Sequence, residues 1–376
     1  MALGVTEEQE ELRDSVRRFL TDRAPISRVR ELMETEDGID PAVWEQAGAQ
    51  LGLLGLAIPE EYGGAGFSFA EQAIVLEELG AALYGGPYLA SGVLAATALL
   101  ASPDEAARRD LLPGIASGEV IATVAFTEDD GSWDPATARL AAVKAGDSWR
   151  LDGHKSFVLD GGAAGLVLAL AVADGRLSLF AVDASAVDGG AAGLTRATLP
   201  TLDQTRKLAR LEFDGVPARL IGSPGDAAAV MDRVLNVAAI ALAAEQLGGA
   251  QRALDMTVAY TKVRHQFGRP IGSFQGLKHR LADLLLEVES LRSAVTYAVS
   301  AVAEDSPEVP VLAPLVKAYA SDTYFHVVAE MIQMHGGIGF TWEHDAHLYF
   351  KRAKSSELFL GDASYHRERL AARIGL

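Results

Sequence analysis

Apolar positions recur at helical spacing through the first hundred or so residues, and the first such stretch opens on a start signal. Thr6-Glu7-Glu8-Gln9 is a capping-box pattern, followed by Leu12, Val16, Phe19 and Leu20 on one face. The same spacing predicts helices over 69–83 and 90–116. Between the first and second helices, Pro59 and the Gly63-Gly64 pair of "GLLGLAIPEEYGGAGFSFAEQ" break any regular element and predict a loop. From about Gly118 the period changes to apolar runs of five to eight residues: "VIATVAF", "RLAAVKA", "SWRLDGH", "SFVLDG", "GLVLALAV", "LSLFAVDA" and "ARLEFDG". Gly-Asp, Asp-Gly and Asp-Gly-Arg turn signals separate several of them, as antiparallel hairpins require. After about Gly225 the helical period returns. Leu277, Leu281, Leu284, Val288, Leu291, Val295, Ala298 and Val302 alternate by four and three, a stripe suited to a bundle, and a later helix is expected over 313–335. The fold class expected is α+β: an N-terminal helical domain (1–117), a middle antiparallel β-barrel or sandwich (118–225) and a C-terminal four-helix bundle (226–376).

Composition narrows the function. A chain of 376 residues with 49% hydrophobic content can bury substantial cores, and the absence of cysteine excludes disulfides, thiolate metal sites and a cysteine nucleophile. The N-terminus "MALGVTEEQEELRDSV" is acidic and amphipathic, unlike a secretory signal, which predicts a cytoplasmic protein. Apolar stretches such as "VAAIALAA" (237–244) fall short of the roughly 18 residues of a membrane span. With 33 basic against 51 acidic side chains, the net charge of −18 repels nucleic acid. Yet between Met256 and Ala282 there is no Asp or Glu, while Lys262, Arg264, Arg269, Lys278 and Arg280 all lie there. Gly268 and Pro270 break the helix in the middle of this window and display its polar side chains at a helix junction. Either the cations form a solvated face or they attract a small polyanion. A donor-rich cluster, Glu343, His344, Asp345 and His347, could place two histidines three apart on a helix, but a polar network is the expectation and no metal site is assigned.

The junction reads Arg264, Gln266, Phe267, Gly268, Pro270, Ile271, Gly272, Phe274 and Gln275. In this it resembles the R-x-Q-F-G-x-P-I-G-x-F-Q segment of the acyl-CoA dehydrogenase family. Two further family signatures are complete: Gln333, Gly336, Gly337, Gly339 and Phe340 as Q-x-x-G-G-x-G-F, and Ile58 to Gly64 as I-P-E-E-Y-G-G. The resemblance covers almost the whole chain. It implies FAD as cofactor, with Arg264, Gln266, Phe267, Phe274, Gln275, Gln333, Gly336 and Gly337 reaching across a dimer interface to the nucleotide end of a neighbour's flavin. Arg264 would pair with phosphate oxygens through its planar donor fork, and the two glycines would let backbone N–H groups approach. On the ring side the family's T-E-P-x-A-G-S-D appears as "TEDDGSWD", keeping Thr127 and Ser132, and its W-I-T-N-G as Phe157-Val158-Leu159-Asp160-Gly161.

The family reaction, α,β-dehydrogenation of an acyl-CoA thioester, needs a carboxylate base. Leu360 stands where most members place the glutamate, and Ala238 stands at the alternative position. This chain therefore resembles one subunit of the α2β2 acyl-CoA dehydrogenases of actinobacterial steroid side-chain catabolism, with a partner supplying the base. The alternatives are a self-sufficient homotetramer using Asp362 or, more remotely, Glu245; a non-catalytic interaction subunit; and a flavin monooxygenase of the same fold. The family also implies electron-transfer flavoprotein as acceptor.

Overall fold

A computed structural model describes residues 6–146, 148–185 and 191–376. Among them the chain runs through α1 (Glu7–Arg23), α2 (Ile26–Leu32), α3 (Pro41–Glu45), α4 (Phe69–Ala81), α5 (Ala96–Ala101) and α6 (Glu105–Ser117). The strands β1 (Ala122–Ala125), β2 (Ala141–Ala145), β3 (Ser148–Leu159), β4 (Leu166–Ala173), β5 (Arg176–Asp183), β6 (Leu194–Leu199) and β7 (Leu208–Ile221) follow. Then come α7 (Ala227–Val263), the two-residue strands β8 (His265–Gln266) and β9 (Arg269–Pro270), α8 (Gln275–Ala303), α9 (Val309–His335), α10 (Ala346–Leu358) and α11 (Ala363–Arg373). Helices, strands and helices succeed one another as the periodicities predict. By contacts the chain forms two compact units. One comprises the residues up to Val29 with Phe69–Tyr84 and Ala239–Leu376; the other comprises Arg30–Ser68 and Gly85–Ala238.

In the second unit five strands close a ring. β4 pairs antiparallel with β5 along its whole length, β5 with β7, β7 with β3 and β3 with β2; β2 returns to β4 in parallel at Ala141↔Val172. β1 lies parallel on the other half of that same β4 edge. Closure leaves few bare edges. Hairpin reasoning accounts for the pairs of consecutive strands, β2–β3, β4–β5 and β6–β7, but not for β3–β7, β5–β7 or the two parallel pairs, which join strands through longer excursions. "SWRLDGH" and "SFVLDG" fuse into the single strand β3: register shifts at Leu151/Gly153 and Lys155/Val158 absorb the Asp-Gly that reads as a turn, with Gly153 at φ +130°. β6 escapes a pattern search because its residues are exposed or only half-buried while it pairs along β7. Inward side chains including Leu151, Val167, Phe180, Leu211, Phe213 and Val216 fill the barrel, and Trp149 sets its ring edge-on to Phe180 at 5.6 Å. The helix expected over 90–116 is divided at Ser102-Pro103-Asp104, since Pro103 disfavours helical geometry before it and Asp104 caps α6 by accepting the Ala107 N–H at 2.9 Å.

In the first unit, Thr6 caps α1 with both halves of its capping box formed. α8 buries Leu284, Val288, Leu291, Val295, Ala298 and Val302, whereas Leu277 and Leu281 stay half-buried near the junction. By length and composition α7 could cross a membrane, but 78% of its apolar window is buried inside the protein, where it serves the core. Its tightest contact is with α4. A Cβ on Gly80 would lie 1.9 Å from the Glu245 carbonyl oxygen, and one on Gly248 would lie 1.8 Å from the Glu77 carbonyl oxygen. Near that crossing the buried Glu245 pairs with Arg352 at 3.0 Å.

Helix propensity alone would make Gly248→Ala stabilising by about 1 kcal/mol. The crossing reverses the sign, and a loss of about 3 kcal/mol is expected from overpacking. Urea denaturation of the purified variant checks this; an unchanged or higher midpoint would mean that the helices do not meet there.

Candidate functional site

The junction in the first unit is built by a tight ribbon. α7 ends at Val263, β8 pairs with β9 around Phe267 and Gly268, both at positive φ, and the Ile271 N–H returns to the Arg264 carbonyl at 2.8 Å. Gly272 has no room for a side chain against Thr261, whose carbonyl oxygen lies 2.9 Å from the Cβ position. The consequence is display. Arg264, Gln266 and Gln275 are exposed, and Phe267 is 91% exposed. Phe274 sits edge-on to Phe267 at 6.1 Å with the Arg269 guanidinium 4.0 Å over its face. A cavity of about 310 Å³ gathers Gln266, Phe267 and Phe274 with Gln333 and Met334 from the end of α9. Gly336 and Gly337 follow, exposed, with no atom within 4 Å of either Cβ position, and Gly336 has φ +65°. The structure thus brings four of the expected nucleotide-side residues into one groove and sets Arg264, Gln275 and the glycine pair on the segments that frame it.

Charge supports an anionic ligand there. Of the five cations, Arg280 pairs with Glu330. Lys262, Arg264, Arg269 and Lys278 make no ion pair among the described residues, despite the net charge of −18. Unpaired guanidinium groups, with a Gly336-Gly337 backbone that no side chain obstructs, fit the pyrophosphate of a dinucleotide, although the Gly336 N–H itself is held by the Ile332 carbonyl as the cap of α9.

The ring-side residues lie in the second unit, and there the polar groups are already engaged. Thr127 is buried and its hydroxyl donates to the Ser156 carbonyl. The Ser132 Oγ accepts the Asp134 N–H at 3.3 Å. Phe157 is turned outward by the β3 bulge at φ +57° and is 37% exposed. Val158 packs into the barrel core, so only its backbone faces the lip. Sequence reasoning missed the charges beneath. The fully buried Lys155 donates to Glu128 at 2.9 Å and to the Phe126 carbonyl at 3.2 Å. Burial pushes the Lys155 pKa down, partly offset by Glu128. Burial would raise the Glu128 carboxyl, but N–H bonds from Arg139 and Leu140 and the Lys155 ammonium hold it below the usual carboxylate range. Asp129 accepts from Arg210 and Ser156 and lies 3.1 Å from the His154 Nε2; hydrogen bonds from Arg210 and Ser156 lower its pKa. The available hint was a lysine inside an alternating strand, with no way to read its partner.

At the expected base position, Leu360 is buried at φ +63°. Its turn is tied down from below: the Nε2–H of His366 donates to the Leu360 carbonyl at 3.0 Å, and the buried Lys317 ammonium donates to the carbonyls of Gly361 (3.1 Å) and Glu357 (3.2 Å). Asp362 is exposed and caps α11, accepting the Tyr365 N–H at 2.8 Å. Glu245 is engaged by Arg352, and Ala238 is fully buried. His344 lies ahead of α10 with its Nδ1 accepting the Ala346 N–H, so it and His347 do not share a helix face.

Comparison with known proteins agrees with this geometry. The family signature described as "Acyl-CoA dehydrogenase, N-terminal domain" matches residues 6–119, and "Acyl-CoA dehydrogenase, C-terminal domain" matches residues 227–375. The acyl-CoA dehydrogenase IpdE2 of Mycolicibacterium smegmatis is 38% identical over 370 residues, covering 98% of this chain and 100% of the relative. Among solved structures, the Tcur3481-Tcur3483 steroid ACAD superposes with a TM-score of 0.88 at 35% identity over 99% of each chain. The ChsE4-ChsE5 complex from Mycobacterium tuberculosis gives 0.89 at 31% identity, over 100% of this chain and 99% of that one. The chain belongs to the acyl-CoA dehydrogenase family.

Two outcomes follow from the turn. Asp362→Asn, which keeps a capping acceptor, should leave stability unchanged, and Asp362→Ala should cost about 1 kcal/mol by chemical denaturation. His366, held neutral by burial and by Lys317, has its pKa pushed from 6.5 down to about 3. In that window the unfolded chain binds a proton that the fold does not, so stability falls as pH drops, by up to about 1.4 kcal/mol per unit. Denaturation midpoints from pH 7 to 4.5 should fall more steeply in the wild type than in His366→Gln; parallel slopes would contradict this.

Proposed function

We propose that this chain is one subunit of a heteromeric, FAD-dependent acyl-CoA dehydrogenase, in which it lends the nucleotide-holding half of the cofactor site and a partner subunit supplies the carboxylate base. Leu360 carries this reading. The position that most members of the family give to the base holds a buried aliphatic side chain, while the alternative carboxylates, Asp362 and Glu245, are occupied in a helix cap and an ion pair. A general base needs a free lone pair within reach of the proton it takes.

A bound FAD supplies the acceptor for the hydride that leaves the β-carbon of the thioester. The residues of this chain bind and orient. Arg264 would take phosphate oxygens, the side-chain-free backbone at Gly336 and Gly337 would let the dinucleotide approach, and Gln266, Phe267, Phe274, Gln275 and Gln333 would line its nucleotide end, while the Gly336 N–H stays on the Ile332 carbonyl. Thr127, Ser132, Phe157 and the Val158 backbone would form the ring side, where Asp129 is paired with Arg210 and His154 and Asp130 with Arg139. The similarity to a steroid ACAD and to the ChsE4-ChsE5 complex supports a bulky, steroid-derived acyl-CoA as substrate and a tetramer of two kinds of subunit. Electron-transfer flavoprotein as acceptor and a cytoplasmic setting complete the reading.

Co-expression with a second dehydrogenase subunit that retains a glutamate in the corresponding turn tests it. Turnover of a steroid-derived acyl-CoA should require both chains and fall about 10³-fold when the partner's glutamate becomes glutamine. Arg264→Gln in this chain should weaken flavin retention at least about tenfold, or about 1.4 kcal/mol. Turnover unaffected by removing the partner's carboxylate would overturn the proposal.

A further inference from the structure

The turn that carries Gly336 and Gly337 is exposed, and its neighbours in the chain must fix its shape. A cluster of rings from three segments does so. His335, the last residue of α9, is 4% exposed; Tyr260 of α7 stacks on its face at 4.2 Å and 23°, and His344 ahead of α10 packs beside it at 4.5 Å and 53°, itself 6.4 Å from Tyr260. The Tyr260 hydroxyl donates to the His335 carbonyl at 3.3 Å. Gly339 packs directly on the same residue, its Cβ position 2.9 Å from the His335 Cβ. The His335 Nδ1–H donates to the Met331 carbonyl at 2.7 Å, which makes Nε2 a bare acceptor, and that buried atom has no partner.

We propose that His335 is a positioning residue, whose neutral ring, clustered with Tyr260 and His344, holds the Gly336–Phe340 turn in the shape that receives the nucleotide. The inference rests on the reading that this turn takes the nucleotide end of a dinucleotide. A proton on Nε2 would place a buried charge with no acceptor against a second imidazole. The groups facing the ring are Tyr260, His344 and the Met331 carbonyl, and no carboxylate is among those acting on it. Burial and then His344 move its pKa below the ordinary histidine value of 6.5. The cluster is therefore intact above that range and is lost as pH falls beneath it.

Hydrogen exchange of the 336–340 amides in the full chain, corrected for intrinsic rates, reads the turn without any cofactor. Wild type should be protected at pH 8 and exchange about tenfold faster at acid pH, near 5. His335→Phe, which keeps a ring and removes the proton site, should stay protected at both, and His335→Ala at neither. Flavin retention by the assembled enzyme should follow the same order. Equal protection in His335→Ala and wild type at pH 8, or an acid response that survives in His335→Phe, would overturn the proposal. Gly337→Val obstructs the backbone without touching the ring cluster. Flavin retained by that variant would overturn the reading beneath the proposal, whereas flavin released by Gly337→Val but retained by His335→Ala would overturn the proposal alone.

Discussion

Two helices can share a backbone-to-backbone contact only where neither has a side chain, and the first unit is organised around one such place. Gly80 of α4 rests on the Glu245 carbonyl of α7, and Gly248 of α7 rests on the Glu77 carbonyl of α4. The reciprocity fixes both the distance and the register of the pair. α7 runs on from this crossing to Val263, where the cationic junction begins, and it carries Tyr260 toward the end of α9 on the way. Whatever the junction binds is therefore aimed by a contact some fifteen residues upstream, roughly 22 Å along a helix at 1.5 Å per residue.

Charge is distributed in two opposite ways. In the first unit the junction leaves Lys262, Arg264, Arg269 and Lys278 without carboxylate partners among the described residues, a disposition that disfavours the isolated chain and favours an anion. In the second unit Glu128 and Asp129 are already satisfied, the first by a buried lysine and two backbone N–H groups, the second by Arg210 and Ser156. Elsewhere in the bundle Glu245 answers Arg352. Removing one member of a buried pair such as Lys155–Glu128 or Arg352–Glu245 costs about 3–5 kcal/mol, so those two carboxylates are structural. Within the first unit, open cations at the junction are suited to holding an anion.

What the sequence made legible was local or literal. The Thr6 capping box closes within four residues, the α8 stripe repeats over eight turns, and Arg264 to Gln275 could be read as a string because their display depends on a short ribbon. The aliphatic side chain at the expected base position was legible for the same reason, since Leu360 is a matter of identity. The rest needed long-range pairing. Nothing near Lys155 in the chain reveals that it meets Glu128, 27 residues earlier, or that Lys317 reaches the carbonyl of Gly361, 44 residues later. The two parallel neighbours of β4, the fusion of two apolar runs into β3 and the inward turn of Val158 all follow from barrel closure, which is a property of the whole ring. The apolar period on either side of Pro103 reads through the break that this residue makes between α5 and α6.

The most direct measurement is the flavin absorbance and acyl-CoA turnover of this chain purified without any partner. Little bound flavin and no turnover are expected, because Leu360 stands at the expected base position and the complete flavin site is proposed to need a second kind of subunit. A homomeric protein carrying one FAD per chain and turning over substrate would contradict this expectation.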